Sequence, residues 1–347
     1  MQSLVTLVRE GYRSTLPENY EPRRSLTNRT PDSTISRLIQ TCRTATIDRK
    51  GFLDVDLTEI GVPNSKLLVR KSYLKLARIV IERSLRSCSF NTLLLGSPGT
   101  GKSVFLVFLL YILVQAGNVP ILVNIWEKRG LSVGNRFYHL KEAFFTDSDI
   151  DLYNPVLLYD GKSPPPYLVR SPTIVASSPR ADRYSEFKNR ANRSAFLMPL
   201  WTEKELSRLN SILTTAEGKI SKRRLAERFL YACGVPRVIF DEDWAKYKKA
   251  VKVAISGLEL EILAKEGDGS LERGPHSVIG IMVDTANYQD FKLCFHSHGI
   301  RNEAFEHLKE KEVDLLKFVF NKVCTGHKTG VAIGDLPTSC HCAKDTM

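Results

Sequence analysis

The chain has 347 residues, 43% hydrophobic and 25% charged, with 50 Lys and Arg against 38 Asp and Glu for a net charge of +12. That length and apolar content can bury a large core, enough for two domains and an arm, and exclude a chain too polar to fold. The positive excess favours polyanionic partners, nucleic acid or an acidic protein face, although solvated helix surface accounts for it equally well.

Residues 1–50 are polar, rich in Arg, Ser, Thr and Pro, and read as a mobile or loosely docked arm. The stretch Met1 to Glu10 is too short in apolar length for a secretory signal. Apolar residues at helical spacing from Tyr73 to Ile81 predict a helix over Lys71 to Cys88. A first strand is expected at 92–95, then a glycine-rich loop and a helix over 102–116. Its apolar run, 104–114, is too short to cross a bilayer and reads as a buried helix. Gly117 and Asn118 end that helix.

A second strand follows at Val119 to Trp126, and a short helix is expected within 131–150. Further strands are expected at Pro155 to Asp160, Pro172 to Ser178 and Ala195 to Leu200. Continuous rather than alternating apolar runs fit strands buried on both faces of a parallel sheet. Beyond Leu200 the chain turns helical. Thr202 and Glu205 form a capping box, with helices expected at 203–214, 219–232 and 241–264. A hairpin of Ser277–Val283 with Phe291–His296 and a helix over 301–322 complete the series.

The chemistry concentrates at Gly96, Ser97, Pro98, Gly99, Thr100, Gly101, Lys102 and Ser103. Strand, glycine loop and helix is the context that a phosphate-binding loop requires. Gly96, Gly99 and Gly101 let successive amides curl around a phosphate. Lys102 would reach the β- and γ-phosphates and Ser103 would place its hydroxyl on Mg²⁺, with the helix start adding its positive end. Asp160, closing Val156-Leu-Leu-Tyr-Asp160, has the form of a Walker B strand and is the expected second metal ligand. The bland reading is an acid capping a turn.

An extra strand, 119–126, stands between the loop strand and the Asp160 strand, an order that suits the ATPase branch. No Asn-Lys-x-Asp guanine reader occurs. ATP is therefore expected over GTP. Hydrolysis also needs a group to orient water, and Gly161 follows Asp160 where many ATPases place Glu. Glu127 is one candidate base, against a solvated loop acid. Ser177 or Ser178, at the end of the fourth strand, can sense the γ-phosphate. Arg237, beside the rigid Gly234-Val-Pro turn, can swing onto it and couple nucleotide state to a lid.

The basic clusters Lys219 to Arg224 and Lys246 to Lys249 suggest direct DNA binding, the first also a nuclear localisation patch, with solvated helix faces as the plain alternative. Seven cysteines, odd in number and scattered, form no disulfide framework and suit a reducing compartment. Cys324, His327, Cys340, His341 and Cys342 superficially resemble zinc ligands, but Cys-x-Cys is the wrong spacing, so no metal cluster is expected there.

Taken together, Val69-Arg-Lys-Ser-Tyr73, Leu94 to Ser103, Leu157 to Asp160, Val175-Ala-Ser-Ser-Pro179 leading into Tyr184 to Phe187, Leu197-Met-Pro-Leu-Trp201 and Gly234-Val-Pro-Arg237 resemble a known module. It is the P-loop module shared by Crinkler-type effectors and trypanosomatid retrotransposon hot spot proteins. The similarity covers about 67–240 well and extends weakly to about 320. It implies a three-layer α/β/α P-loop NTPase core of the ATPase branch, AAA-like, over 67–201. A polar arm (1–66) precedes it, and a helical lid with a hairpin and helix extension (202–347) follows.

It further implies a nucleotide-dependent regulator that binds ATP and Mg²⁺, from a family of secreted effectors acting in a host cell or its nucleus. The chain's own features read as cytoplasmic or nuclear. No Leu-Phe-Leu-Ala-Lys-type signature lies in residues 1–60. No Asp…Glu-x-Lys pattern follows the last helix, so no nuclease activity is expected. The other function considered is a non-enzymatic, nucleotide-gated switch that binds nucleic acid or a host protein. No membrane segment is expected, and an oligomer is compatible with the sequence.

Overall fold

The computed structural model describes residues 1–12, 33–58, 66–86, 91–117, 119–125, 128–133, 136–139, 154–161, 171–179, 193–214, 218–241, 243–257 and 277–308. Two compact units interleave along the chain. The first comprises Met1–Leu95, Lys102–Ser177 and Asp182–Phe196, and the second Gly96–Gly101, Ser178–Ala181 and Leu197–Met347.

The first unit is α/β. Its helices are α1 (Gln2–Gly11), α2 (Ser33–Thr44), α3 (Lys71–Arg86) and α4 (Lys102–Ala116). A small antiparallel pair, β1 (Phe52–Asp54) with β2 (Lys66–Leu68), precedes α3. The main sheet has seven strands: β3 (Asn91–Leu95), β4 (Ile121–Ile125), β5 (Lys128–Val133), β6 (Arg136–His139), β7 (Val156–Asp160), β8 (Thr173–Ala176) and β9 (Arg193–Leu197). Their order is β6-β5-β4-β7-β8-β3-β9. The run β4-β7-β8-β3 is parallel, while β5 and β6 extend it as antiparallel strands. This mostly parallel sheet with its helices is compatible with three α/β/α layers.

The core strands form where continuous apolar runs demanded burial on both faces. Every residue of β3, β4 and β8 is buried. Helix α4 is apolar all round, with Phe105 through Leu113 buried, as expected of a helix packed between sheet and other helices. It packs against β4, β7 and β8. Tyr73 of α3 meets Phe105 edge-on at 5.3 Å between ring centroids. Arg70, almost fully buried, lies over the Tyr73 ring.

Three expectations change. The described part of 131–150, residues 131–133 and 136–139, is strand, β5 folding back antiparallel on β4 and β6 on β5, and 140–150 lies outside the described residues. The strand over 119–126 does not lie between the loop strand and the Asp160 strand; β8 does, and β4 flanks β7 on its far side. The N-terminal residues that are described are packed helices rather than a loose arm. Leu4 and Val8 of α1 and Ile35, Leu38, Ile39 and Cys42 of α2 are buried. The Arg9 guanidinium donates to the carbonyls of Ala116 (3.1 Å) and Gln115 (2.9 Å), capping the negative end of α4. Gln115 in turn donates to Cys42 and Arg43 carbonyls at the end of α2.

The second unit is mainly helical. It holds α5 (Glu203–Ile212), α6 (Lys222–Ala232), the single turn α7 (Pro236–Ile239), α8 (Trp244–Ser256), the hairpin β10 (Ile279–Val283) with β11 (Phe291–Phe295), and α9 (His298–Leu308). The capping box at Thr202 and Glu205 is present. The Ser221 side chain caps α6. Buried Arg228 of α6 donates to the carbonyls of Ile239 (2.7 Å) and Asp241 (2.6 Å) and lies over the Trp244 ring. It thereby ties the end of α7 to α6 and α8. Among the described residues no helix is long and apolar enough to cross a membrane.

Candidate functional site

The turn after β3 adopts the backbone that its glycines allow. Gly99 and Gly101 have φ of +82° and +94°, the left-handed region that L side chains rarely occupy. Between them, Thr100 is buried and folds back on the loop, its Oγ1 donating to the Ser97 carbonyl at 2.8 Å. Pro98 is exposed and Ser97 buried. The Thr100 bond thus closes the loop back on itself between the two glycines.

Lys102 and Ser103 begin α4, so their amides belong to the first turn, where backbone N–H groups have no intrahelical acceptor. The Lys102 side chain is mostly buried. Ser103 Oγ donates to Asp160 Oδ1 at 2.9 Å, across 57 residues of sequence. Asp160 ends β7, two strands over from β3 in the sheet. The registers explain the meeting. Leu94 of β3 pairs with Ala176 of β8, and Ala176 pairs with Asp160 of β7, so these strand ends lie level. An N-terminal helix hydroxyl and a strand-terminal carboxylate are thus held in direct contact.

Ser177 follows Ala176 at that same level. Its amide donates to the Leu94 carbonyl at 2.9 Å. Its Oγ is buried and has no hydrogen-bond partner among the described residues, and the same holds for Ser178 Oγ. A buried hydroxyl left without a partner costs about 1–3 kcal/mol, so each is a group that a bound ligand can satisfy. Gly161, after Asp160, has φ +96° and donates its amide to the Ala176 carbonyl at 2.7 Å. Glu127 lies outside the described residues, as do Cys324, His327, Cys340, His341 and Cys342. Among the described residues no three His, Cys, Asp or Glu side chains gather as a metal site.

In the second unit, Arg237 is exposed, and its stem lies against the loop. A Cβ built on Gly99 would fall 2.7 Å from Arg237 Cβ and 3.1 Å from Val235 Cγ1. Gly234 has φ +72°, and a Cβ there would fall 2.2 Å from the Trp201 carbonyl oxygen. The Trp201 amide donates to the Gly234 carbonyl at 2.9 Å, and its indole Nε1–H donates to the Thr100 carbonyl at 2.8 Å.

The residue motifs assigned Trp201 no role. The signal was there: a tryptophan just ahead of a capping box, in an apolar run, is a buried indole whose N–H needs an acceptor. What the sequence does not carry is which carbonyl, 101 residues away, supplies it.

No family model matches the chain. Among curated proteins it is similar to Crinkler effector protein 16 of Phytophthora infestans, 26% identical over 211 residues, which is 56% of this chain and 32% of that protein. It is also similar to Crinkler effector protein 15 of the same organism, 28% identical over 192 residues, 51% of this chain and 29% of that protein. The matched part is about a third of the length of those relatives. The two similarities support a Crinkler-like relationship over about half of the chain.

Proposed function

We propose that this chain binds Mg-ATP through the loop from Gly96 to Ser103, turns it over, and acts as a nucleotide-dependent regulator. The observation that carries the reading is the Ser103–Asp160 hydrogen bond. A serine directly after the loop lysine, touching a carboxylate that ends a neighbouring parallel strand, is the pairing that a P-loop NTPase uses at its metal. The order β7-β8-β3 adds support, since one strand stands between the Asp160 strand and the loop strand, as in the ATPase branch. The two orphan hydroxyls at the end of β8 suit a γ-phosphate sensor.

The donor set fits the metal. Mg²⁺ takes hard oxygens and is held by only one or two protein groups, with water and phosphates completing its shell. Ser103 Oγ and an Asp160 oxygen would supply them. When bound, the ion neutralises charge on the β- and γ-phosphates. In this reading the loop amides orient the phosphates, Lys102 supplies a charge-assisted contact, and Arg237 is the candidate cation for the outer phosphate. Lys102→Ala should lose Mg-ATP binding by titration calorimetry. Unchanged binding by that variant refutes the proposal.

A second reading, a nucleotide-gated switch without turnover, is favoured by one position. Gly161 stands where a water-orienting carboxylate would follow Asp160, and its amide is already committed to the sheet. Measured phosphate release with ATP and GTP, with and without duplex DNA, separates the two. Tight binding with no release is the switch. DNA or a host protein as partner is carried by the exposed Lys222, Arg223 and Arg224 of α6 and Lys246, Lys248, Lys249 and Lys252 of α8. A DNA affinity that does not fall with salt removes the DNA proposal, because phosphate contacts release counterions.

A further inference from the structure

The crown of the phosphate loop is held from one side by a single indole. Trp201 Nε1 donates to the Thr100 carbonyl at 2.8 Å in a buried setting. Thr100 sits between Gly99 and Gly101, at φ +82° and +94°, and two residues ahead of Lys102. Trp201 is itself pinned. Its amide donates to the Gly234 carbonyl, and the missing side chain of Gly234 is what lets the two backbones meet. From there the chain runs three residues to Arg237, whose Cβ rests on Gly99. The contacts close a ring: Thr100 to Trp201, Trp201 to Gly234, Gly234 through Val235 and Pro236 to Arg237, and Arg237 back to Gly99.

We propose that Trp201 is a positioning residue for phosphate binding, its indole N–H fixing the Thr100 peptide so that the neighbouring amides stay turned toward the ligand. The inference rests on the nucleotide reading above. The physical argument concerns one peptide plane. An unbraced Thr100–Gly101 peptide can rotate, because Gly101 accepts many backbone conformations and adds no steric restraint. Such a rotation would turn the Gly101 N–H away and cost one donor at the phosphate. A buried donor on the Thr100 oxygen makes the rotation expensive, since that carbonyl would be left unpaired. The same ring passes a change in the loop to the Gly234–Arg237 turn, so Trp201 also reports on the bound state.

The test uses the full chain. Trp201→Phe keeps an aromatic ring at the site and removes the donor together with the pyrrole part of the indole. It should bind Mg-ATP and Mg-ADP about tenfold more weakly, the equivalent of one lost hydrogen bond, with an unchanged far-ultraviolet spectrum. A second protein, Trp126→Phe with Trp244→Phe, leaves Trp201 as the only tryptophan and leaves the brace intact. Its emission should change on Mg-ATP titration with the midpoint found by calorimetry. A merely structural tryptophan would weaken folding without that signature.

Wild-type affinity in Trp201→Phe, or single-tryptophan emission that stays flat at saturating nucleotide, overturns the brace while leaving the nucleotide reading intact. A wild-type chain that binds no Mg-ATP overturns both.

Discussion

Replacing Gly234 by alanine should damage this protein more than any other single methyl addition at its described glycines. The new Cβ would stand 2.2 Å from the Trp201 carbonyl oxygen and 2.8 Å from its nitrogen, both backbone atoms that no side-chain rotation can move. The residue also sits at φ +72°, which costs an L side chain about 1–2 kcal/mol. Relief requires the two strands of chain to part, losing the Trp201–Gly234 hydrogen bond and pulling on the indole bond to Thr100, about 1 kcal/mol each.

The sum is about 3–4 kcal/mol, a large part of the stability of an ordinary domain. Urea unfolding followed by circular dichroism reads it directly. Gly234→Asn separates the causes, because asparagine tolerates the left-handed region but needs the same space. Asparagine should therefore be no better than alanine. If it recovers most of the loss, the close approach is not what holds this turn, and the reasoning fails.

Asp160→Asn should keep the fold and the contact to Ser103, since an amide oxygen still accepts. It should remove the Mg²⁺-dependent part of ATP binding, measured by titration with and without chelator, and an unchanged Mg²⁺ dependence refutes its role. Arg228→Leu leaves the Ile239 and Asp241 carbonyls without their donor and should cost about 3 kcal/mol, read as a lower urea midpoint. Burial pushes the Cys42 thiol up to about 12, so iodoacetamide at pH 8.5 should spare it in the folded chain while labelling it once unfolded, as mass spectrometry can show. Because the folded value is raised, its stabilising share is complete below the ordinary thiol value near 9 and disappears as pH climbs through about 12. Alkaline unfolding should therefore steepen in that window.

What the sequence made legible were features written locally. The loop glycines at 99 and 101, the capping box at Thr202 and the all-apolar α4 each depend on residues within one turn or one strand, and each is found where the pattern put it. Strands β3, β7 and β8 were readable because burial on both faces leaves no polar alternation. Strands β5 and β6 were not. Lys128-Arg-Gly-Leu-Ser-Val133 has little apolar periodicity of its own and becomes strand by pairing with β4, which is a tertiary fact that local propensity does not contain.

The docked N-terminal helices were hidden for a related reason. Leu4 and Val8 have helical spacing, but the Pro- and Arg-rich composition around them suggests a free chain, and the decisive contact is Arg9 reaching carbonyls more than a hundred residues away. The placement of β8 beside β3 shows the same limit, since chain order put 119–126 between the loop strand and the Asp160 strand. Within the candidate site the division is sharpest. Ser103 and Asp160 could be paired from the sequence because the proposed metal-bound triphosphate would specify both, whereas Trp201 and Thr100 meet through a carbonyl, and every residue has one. Side-chain chemistry announces itself in a sequence; a backbone acceptor chosen by the fold does not.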